Sequence, residues 1–409
     1  MNVSKFIGCT MILVGSIIGA GILGQPLVCA DAGFVWGSVA MVGLWIMAVI
    51  TGLMVIEVNS AFPRHSCSFS SMAEQTLGPV GKGITWISYL LLLYSITVAY
   101  ISGEASTITT ALEPVIHFRI PTWINALAFT GILGISVFWS TKATDHFNRG
   151  LISVKGFLII ATLALVMPHI DFTKLISSQG LTHSKYIWIA LPVFVNAYCY
   201  QFVIPSLRIY LGDKPQQLRG IVLIGVTFTT IIYILWLAVT LGTVPLIGEN
   251  SFAGMTTRSS PGELVQFIIN ITNNKWVATS INGFTNISMT TSFLGVTLAL
   301  FDFLADGFKR PDTRFGRFQT SLLTFIPPLI IALFFPNLFV PAMNYAAIPI
   351  VIITFLLPAL MVYRIRKHPT LKSSYRTKCN NLVIFLVVLC SMAFLVIAIM
   401  NNLNLLPKP

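Results

Sequence analysis

Val14-Gly15-Ser16-Ile17-Ile18-Gly19-Ala20-Gly21-Ile22-Leu23-Gly24-Gln25-Pro26 lies inside the first long apolar segment of this 409-residue chain, at roughly 6–30. A membrane span needs about 20 mostly apolar residues, and this segment is long enough to be one. Gly15, Gly19 and Gly21 punctuate its middle, so it reads as a helix interrupted near mid-membrane. A second interrupted span falls five spans later. Its middle is the polar run Asn196-Ala197-Tyr198-Cys199-Tyr200-Gln201, with Pro192 before it and Pro205 after. A break frees backbone N–H and C=O groups that lipid cannot satisfy. Half-helix N-termini then attract a carboxylate, and freed carbonyls attract an ammonium or a cation. A zwitterionic amino acid offers both groups. Interrupted helices in matching positions of two halves mark the substrate site of transporters built from inverted repeats. The binding candidates are therefore Gly15, Ser16, Ile17, Gly19, Ala20 and Gly21 on the first break, and Asn196, Tyr198, Tyr200 and Gln201 on the second. The same glycines also suit a tight helix–helix contact, as small residues do between membrane helices.

The rest of the chain is built from similar material. It is 55% hydrophobic and 9% charged, against roughly 25% charged in soluble domains, and its mean hydropathy is +0.83. That is the composition of an all-α, polytopic protein of the lipid bilayer. Eleven candidate spans fall at roughly 6–30, 34–61, 82–111, 122–140, 150–168, 186–208, 219–246, 276–304, 318–336, 340–363 and 381–403. A net charge of +12 would suit nucleic acid, but the basic residues alternate with apolar spans. They read as orientation signals, and no nucleic-acid partner is expected. With the N-terminus in the cytoplasm, most of the 25 Lys and Arg fall inside, including Lys309, Arg310, Arg314 and Arg317 and the cluster from Arg364 to Lys378. Arg119, Lys174, Lys185, Arg258, Lys275 and Lys408 fall outside. An eleven-span chain that starts inside ends outside. The longest outer loop, at about 247–275, has room for short surface helices. No separate soluble domain or signal peptide is expected, since the first apolar segment is too long and lacks a cleavage site.

The six cysteines (Cys9, Cys29, Cys67, Cys199, Cys379 and Cys390) show no metal-ligand spacing and mostly lie in apolar runs, where they read as small packing residues. His65, His117, His146, His169, His183 and His368 fall in loops or at span ends. A histidine relay at the membrane centre is thereby disfavoured. No cofactor or metal is expected. An intramembrane enzyme would need a nucleophile–base pair or metal ligands at depth, and the histidines and cysteines do not supply them.

Lys155 stands out in the apolar run from Leu151 to Val166. An ionisable group inside a span is costly and is a functional hypothesis by default. Lysine is also the basic side chain that most readily loses its proton on burial, so it can cycle between two charge states. The alternative is that Lys155 climbs to the cytoplasmic interface along its own stem. Glu104 in the third span, beside Ser102 and Ser106, is a second candidate proton carrier lining the outer vestibule, or a wetted or hydrogen-bonded group near the outer mouth. Glu57 and Asp302 sit near inner span ends and read as structural partners of inner-side Arg or Lys. An aromatic ligand needs a flat apolar slot with few polar contacts. Tyr94, Thr97 and Tyr100 lie near one helical face, and Asn286, Met289 and Thr290 are further lining candidates.

The run from Val14 to Pro26 resembles the opening motif of the bacterial aromatic amino acid permeases, the tyrosine-specific and tryptophan-specific transport proteins. Ala99-Tyr100-Ile101-Ser102-Gly103 looks like their third-span motif. Thr291-Ser292-Phe293-Leu294-Gly295, followed by Leu300 to Asp306, looks like their eighth. The resemblance covers the whole chain, including the span count and the Glu57 ending of span 2. It implies a LeuT-type fold of five plus five inverted spans in one domain, 1–409, with repeats at 6–168 and 186–363 and an added span at 381–403. It implies a symporter of the bacterial inner membrane that imports aromatic amino acids by alternating access. Tyrosine is the first expected substrate, with tryptophan and phenylalanine as further ones, and protons are the coupling ion in place of sodium. The stretch from Asn196 to Gln201 departs from the small-residue, Gly- and His-containing stretch of the family. In sodium-coupled relatives of this fold spans 1, 5 and 8 surround a sodium ion, and in proton-coupled ones a lysine on span 5 can take its place. The resemblance therefore gives Lys155 partners: the carbonyls near Gly15 and Ser16, and the hydroxyls of Thr291 and Ser292. Other readings are a sodium-coupled or other neutral amino acid transporter of the same fold, and a membrane sensor or receptor without net transport.

Overall fold

A computed structural model of the chain describes residues 3–63, 68–118, 120–139, 141–176, 183–310, 313–335, 337–368, 371 and 373–407. Arg64, His65, Cys67, Arg119, Lys372 and Lys408 of the sequence reading lie outside these residues. Among the described residues the secondary structure is helical, with no strand. Ten helices are long and apolar enough to cross a membrane, and a bent pair makes an eleventh.

That bent pair is span 1, made of α1 (Val3–Ile17) and α2 (Gly21–Cys29) at 47° to each other. Spans 2 to 5 are α3 (Gly33–Asn59), α4 (Phe69–Ile116), α5 (Thr122–Trp139) and α6 (Thr141–Val166). A short helix, α7 (Phe172–Ile176), follows. Span 6 is α8 (Ile187–Asn196) and α9 (Ile204–Leu211), with a 3₁₀ turn at Gln201–Val203 between them. Span 7 is α10 (Pro215–Thr243), and α11 (Pro261–Thr272) lies in the longest outer loop. Spans 8 and 9 are α12 (Lys275–Gly307) and α13 (Arg314–Phe334). Span 10 is α14 (Phe339–Val351) and α15 (Leu357–Lys367), joined by a π-helical segment at Ile352–Leu356. Span 11 is α16 (Asn381–Asn402).

Two helices overrun their expected limits. The third span, expected at 82–111, begins at Phe69, where the Ser68 hydroxyl accepts the Ser71 N–H at 3.1 Å as an N-cap. Gly78 takes φ 78°, a conformation open to glycine, and kinks this lead-in away from the span proper. The fifth span, expected at 150–168, starts nine residues earlier because the polar stretch from Thr141 to Arg149 continues the helix beyond the apolar run. The outer-loop helix α11 starts at a capping signature, Ser260-Pro261-Gly262-Glu263, whose serine hydroxyl accepts the Glu263 N–H at 3.3 Å.

The packing places both breaks at the centre. α2 lies against α8 and α1 against α9, so the two broken spans cross at their interruptions. Span 7 packs on spans 1 and 2, span 8 on spans 3 and 5, and span 10 on span 3. Span 11 presents Leu382, Phe385, Leu389 and Val396 outward, as a helix bordered by lipid does. The neighbouring ends of spans 2, 6 and 10 are tied together by polar side chains. Arg208 of α9 donates to the carbonyls of Asn59 and Phe62 at the end of α3, and its Nε reaches Asp213 at 2.6 Å. Glu57 of α3 receives Arg366 of α15 through two bonds, at 2.7 and 2.8 Å. The same carboxylate accepts the Thr377 N–H at 2.8 Å and its hydroxyl at 2.6 Å, which docks the segment after span 10 onto span 2. Burial pushes the Cys379 thiol up in this docked segment. Glu57 is thus a structural partner of Arg366.

Candidate functional site

The breaks leave carbonyls free of the regular helical ladder, and side chains from spans 5 and 7 reach them, while one from span 8 takes a freed N–H. Lys155 of α6 is 3% exposed. Its Nζ donates to the Ile18 carbonyl at 2.6 Å and lies 3.4 Å from that of Gly15. No carboxylate among the described residues pairs with it. The ammonium therefore points into the span 1 break, with its stem buried, and does not climb along its stem to the protein surface. Gly15 permits this approach: a Cβ there would lie 2.8 Å from Ile152 Cγ2, one turn before the lysine. So the tight-contact reading of the glycines holds at Gly15, while Gly19 and Gly21 belong to the unwound turn and the start of α2.

Span 8 closes the opposite side. Asn148 approaches Gly295, and Leu158 approaches Gly283, so α6 and α12 run antiparallel with Lys155 between these contacts. The facing stretch of α12 carries Ser288, Thr291 and Ser292. Ser292 Oγ accepts the Ala20 N–H at 3.0 Å, and the Tyr100 hydroxyl of α4 lies at the same turn, beside Gly19. Thr291 is turned back on its own helix, to the Ser288 carbonyl at 3.1 Å. Ser288 and Thr285 keep fully buried hydroxyls without a partner in the structure. Ser16 Oγ likewise bonds the Leu13 carbonyl at 2.7 Å, and Ile18, not Ser16, supplies the short contact to Lys155.

Span 7 joins the two breaks. Tyr233 Oη lies 2.7 Å from the Ile17 carbonyl and 3.0 Å from the Ala197 carbonyl. One hydroxyl hydrogen thus serves two carbonyls, one from each broken span. The side chain is fully buried and meets Tyr198 edge-on at 5.8 Å. Broken helices, carbonyls gathered at the interruptions, a buried ammonium and a half-helix N-terminus thus lie together, and such groups can attract both the carboxylate and the ammonium of a small zwitterion.

Known proteins bear on this directly. Residues 2–398 match the model of the tryptophan/tyrosine permease family. The chain belongs to this family. It is 33% identical to the tryptophan-specific transport protein of Pseudomonas aeruginosa, over 99% of this chain and 96% of that one. It is 32% identical to tyrosine-specific transport system 1 of Haemophilus influenzae, over 94% of each chain. The low affinity tryptophan permease of Escherichia coli is 29% identical, over 97% of this chain and 96% of its own. These relatives are transport proteins and permeases, not enzymes, and the chain is a multi-pass membrane protein like them.

Several sequence candidates of this tryptophan/tyrosine permease family member are committed elsewhere by their hydrogen bonds. The Tyr198 hydroxyl lies against Met41 O at 3.2 Å and Thr230 Oγ1 at 3.1 Å, and Tyr200 bonds Ala48 O of span 2 at 2.9 Å. Gln201 accepts the Tyr200 N–H at 3.0 Å and donates to Thr51 at 3.1 Å. These three side chains fasten the second break to its neighbours and do not point between the breaks. Tyr94 reaches Leu323 O on span 9 at 2.8 Å, and Thr97 bonds its own helix at Leu93 O. Asn286 belongs to a pocket between spans 3 and 8, where Thr107 stands 3.4 Å from its Oδ1 and 3.1 Å from Glu104 Oε2. Glu104 is 2% exposed, so it is a buried group and not a wetted one at the mouth; α4 continues to Ile116 beyond it. Met289 packs at Gly103 beside Phe339, and Thr290 is half-buried. Asn196 donates to Pro192 O at 2.7 Å and to Met343 O of α14 at 2.9 Å, leaving its Oδ1 buried and unpartnered.

Sequence reasoning missed Tyr233, Phe339 and Met343. Phe339 and Met343 cover the outer side of the breaks, with Met343 Sδ 3.2 Å and Phe339 Cε1 3.4 Å from where a Gly24 Cβ would sit. All three occupy unremarkable apolar runs, and only their contacts distinguish them. A tyrosine deep in an apolar span was the one available signal for Tyr233, since a buried hydroxyl needs a partner.

Proposed function

We propose that this family member is a proton-coupled symporter that imports aromatic amino acids, with tyrosine and tryptophan the substrates to test first. The relatives named for these two amino acids support the substrate class. In this reading the α-carboxylate lies at the N-terminus of α2 near Gly21, the ammonium on break carbonyls, and the ring among Tyr100, Met289, Phe339 and Met343. The observation that carries the coupling is Lys155, a buried ammonium held by the carbonyls of Gly15 and Ile18 and by no carboxylate among the described residues. Protonated, it ties span 5 to the span 1 break. Losing the proton removes the charge that these carbonyls attract, and span 5 can part from span 1. Glu104 is a secondary proton site.

An inverted 5+5 repeat is supported by the helix neighbours. Exchanging each span n with span n+5 turns the 5–8 contact into 10–3, 1–7 into 6–2, 3–4 into 8–9 and 3–9 into 8–4, and all of these contacts occur. Consecutive crossings alternate in direction, so spans five apart run oppositely, as an inverted repeat requires. Alternating access then rocks one set of spans against the other around the crossed breaks. The excess of Lys and Arg on one side supports a cytoplasmic N-terminus and a periplasmic C-terminus in a bacterial inner membrane.

The test is uptake of labelled tyrosine and tryptophan into vesicles holding the purified protein, under an imposed pH gradient or sodium gradient. Accumulation should follow the pH gradient and persist without sodium. Accumulation that needs sodium and ignores the pH gradient overturns the coupling. Absence of uptake of both amino acids under either gradient overturns the substrate class.

A further inference from the structure

We propose that the buried face of span 5 is the proton route to Lys155, with Thr162 as the relay group on one side of the lysine and Asn148 on the other. This rests on the coupling reading above and adds to it the side chains that bring the proton in and lead it away.

Span 5 carries Asn148, Lys155 and Thr162 at a constant spacing of seven residues. That spacing is close to two helical turns, so the three lie on one face, with neighbours about 10 Å apart along the axis. The face is turned into the protein. Asn148 is 8% exposed, and Thr162 is fully buried. The two neutral members are not held in place by hydrogen bonds of their own. Asn148 Oδ1 and Thr162 Oγ1 have no partner among the described residues. Other buried threonines of the spans behave differently. Thr97, Thr229, Thr240, Thr297, Thr324 and Thr354 each give their hydrogen to the carbonyl four residues back on their own helix. Thr162 does not, so its hydroxyl is free to serve something else.

Span 8 adds a third such group. With Asn148 beside Gly295 and Leu158 beside Gly283, Lys155 comes level with Ser288, whose hydroxyl is fully buried and unpartnered. A hydroxyl both donates and accepts, so it can take a proton from one neighbour as it passes one to the next. An amide oxygen can hold the water that receives one. No other titratable side chain on these helices competes with Lys155. Span 5 has none elsewhere between 150 and 168, span 8 none between 276 and 301, span 4 none, and span 1 none between Cys9 and Cys29. Span 7 brings Tyr233, whose hydroxyl is engaged by the Ile17 and Ala197 carbonyls. Parting span 5 from span 1 uncovers the face that carries all three groups. In the orientation proposed above, a proton then enters from outer water past Thr162 to the neutral amine. It leaves the ammonium past Asn148 to cytoplasmic water.

The test separates proton movement from substrate handling. Thr162→Val keeps the shape and removes the hydroxyl, and Thr162→Ser keeps the hydroxyl. Native and variant proteins are placed in vesicles with labelled tryptophan. Uptake driven by a pH gradient needs a proton on and off Lys155 in every cycle, whereas exchange of internal for external tryptophan proceeds with the proton retained. Gradient-driven uptake by Thr162→Val should slow about tenfold or more, with exchange and KM within about twofold of native. Asn148→Leu should show the same split, and Thr162→Ser should recover the native rate. Equal losses of uptake and exchange in either variant, or a lowered thermal midpoint of Thr162→Val, indicate a structural role and overturn the proposal. Failure of Thr162→Ser to recover the rate overturns it as well. Native protein whose uptake ignores the pH gradient overturns the coupling reading and the relay together. Native uptake that follows the gradient, with either variant matching it, overturns the relay alone.

Discussion

Arg366 and Lys155 are both cations removed from water, on spans 10 and 5, and they are held in opposite ways. Arg366 meets the Glu57 carboxylate through two bonds, and the same carboxylate takes two more from Thr377. Its Nη2 also reaches the Thr377 hydroxyl, and its Nη1 donates to the Cys379 carbonyl. Charge and hydrogen-bonding capacity are both matched there, and the result is a fixed tie between span 2, span 10 and the segment after it. Lys155 meets only the dipoles of two carbonyls, and those carbonyls exist because span 1 is broken. A buried cation without a counter-charge has two accessible states, charged and neutral, that do not differ by an entire broken ion pair. The contrast separates a charge that holds the fold from one that can report on its surroundings.

Breaking the first member should have the larger effect on stability. Arg366→Met leaves the Glu57 carboxylate buried and unpaired, at a cost of about 3–5 kcal/mol. The thermal unfolding midpoint of the purified protein should fall, and adding Glu57→Gln should recover most of the loss. A single variant as stable as the native protein would break the comparison on the arginine side.

Lys155→Met removes the charge itself, so the fold should suffer less than in Arg366→Met. It also removes charge-assisted hydrogen bonds worth about 1.5–3 kcal/mol each, and with them the tie between spans 5 and 1. Uptake driven by a pH gradient should drop to background, while exchange of internal for external amino acid persists. Full gradient-driven accumulation by this variant would show that the lysine is not where protons are coupled.

The smallest effect sharpens the picture of the site between these charges. Ser292→Ala strips the Ala20 N–H of its acceptor, a loss of about 1 kcal/mol. The KM for uptake should rise about fivefold at nearly unchanged maximal rate, by the usual conversion of energy to affinity. A lowered maximal rate at constant KM would place Ser292 in the moving contact between spans 1 and 8 instead of in ligand binding.

The spans were legible because the requirement that sets them is local. Twenty apolar residues in a row have few places to be, and the glycines around Gly19 and the polar run at Asn196 mark the interruptions without reference to anything else. Lys155 was legible for the same reason, as a charge where charge is expensive. Its partners were only half legible. The Gly15 carbonyl is one of them, but the Ile18 carbonyl, and not that of Ser16, takes the short contact. Tyr198, Tyr200 and Gln201 carry the right chemistry for a ligand site, yet rotation about the span 6 axis turns them toward span 2. Helical periodicity gives relative angles along one helix, and it cannot say which neighbour stands at each angle.

The sequence by itself determined that this chain is a helical membrane protein with two interrupted spans, a lone buried lysine and a tryptophan/tyrosine permease ancestry. Those follow from hydropathy, from the backbone's need for hydrogen bonds in lipid, and from motifs spread along the whole chain. Only the tertiary structure decided which freed carbonyl goes to which donor. Lys155 and Ile18 are 137 residues apart, and Tyr233 and Ile17 are 216 apart. A hydrogen bond reaches about 3 Å, and no pattern in one span carries the position of another to that precision.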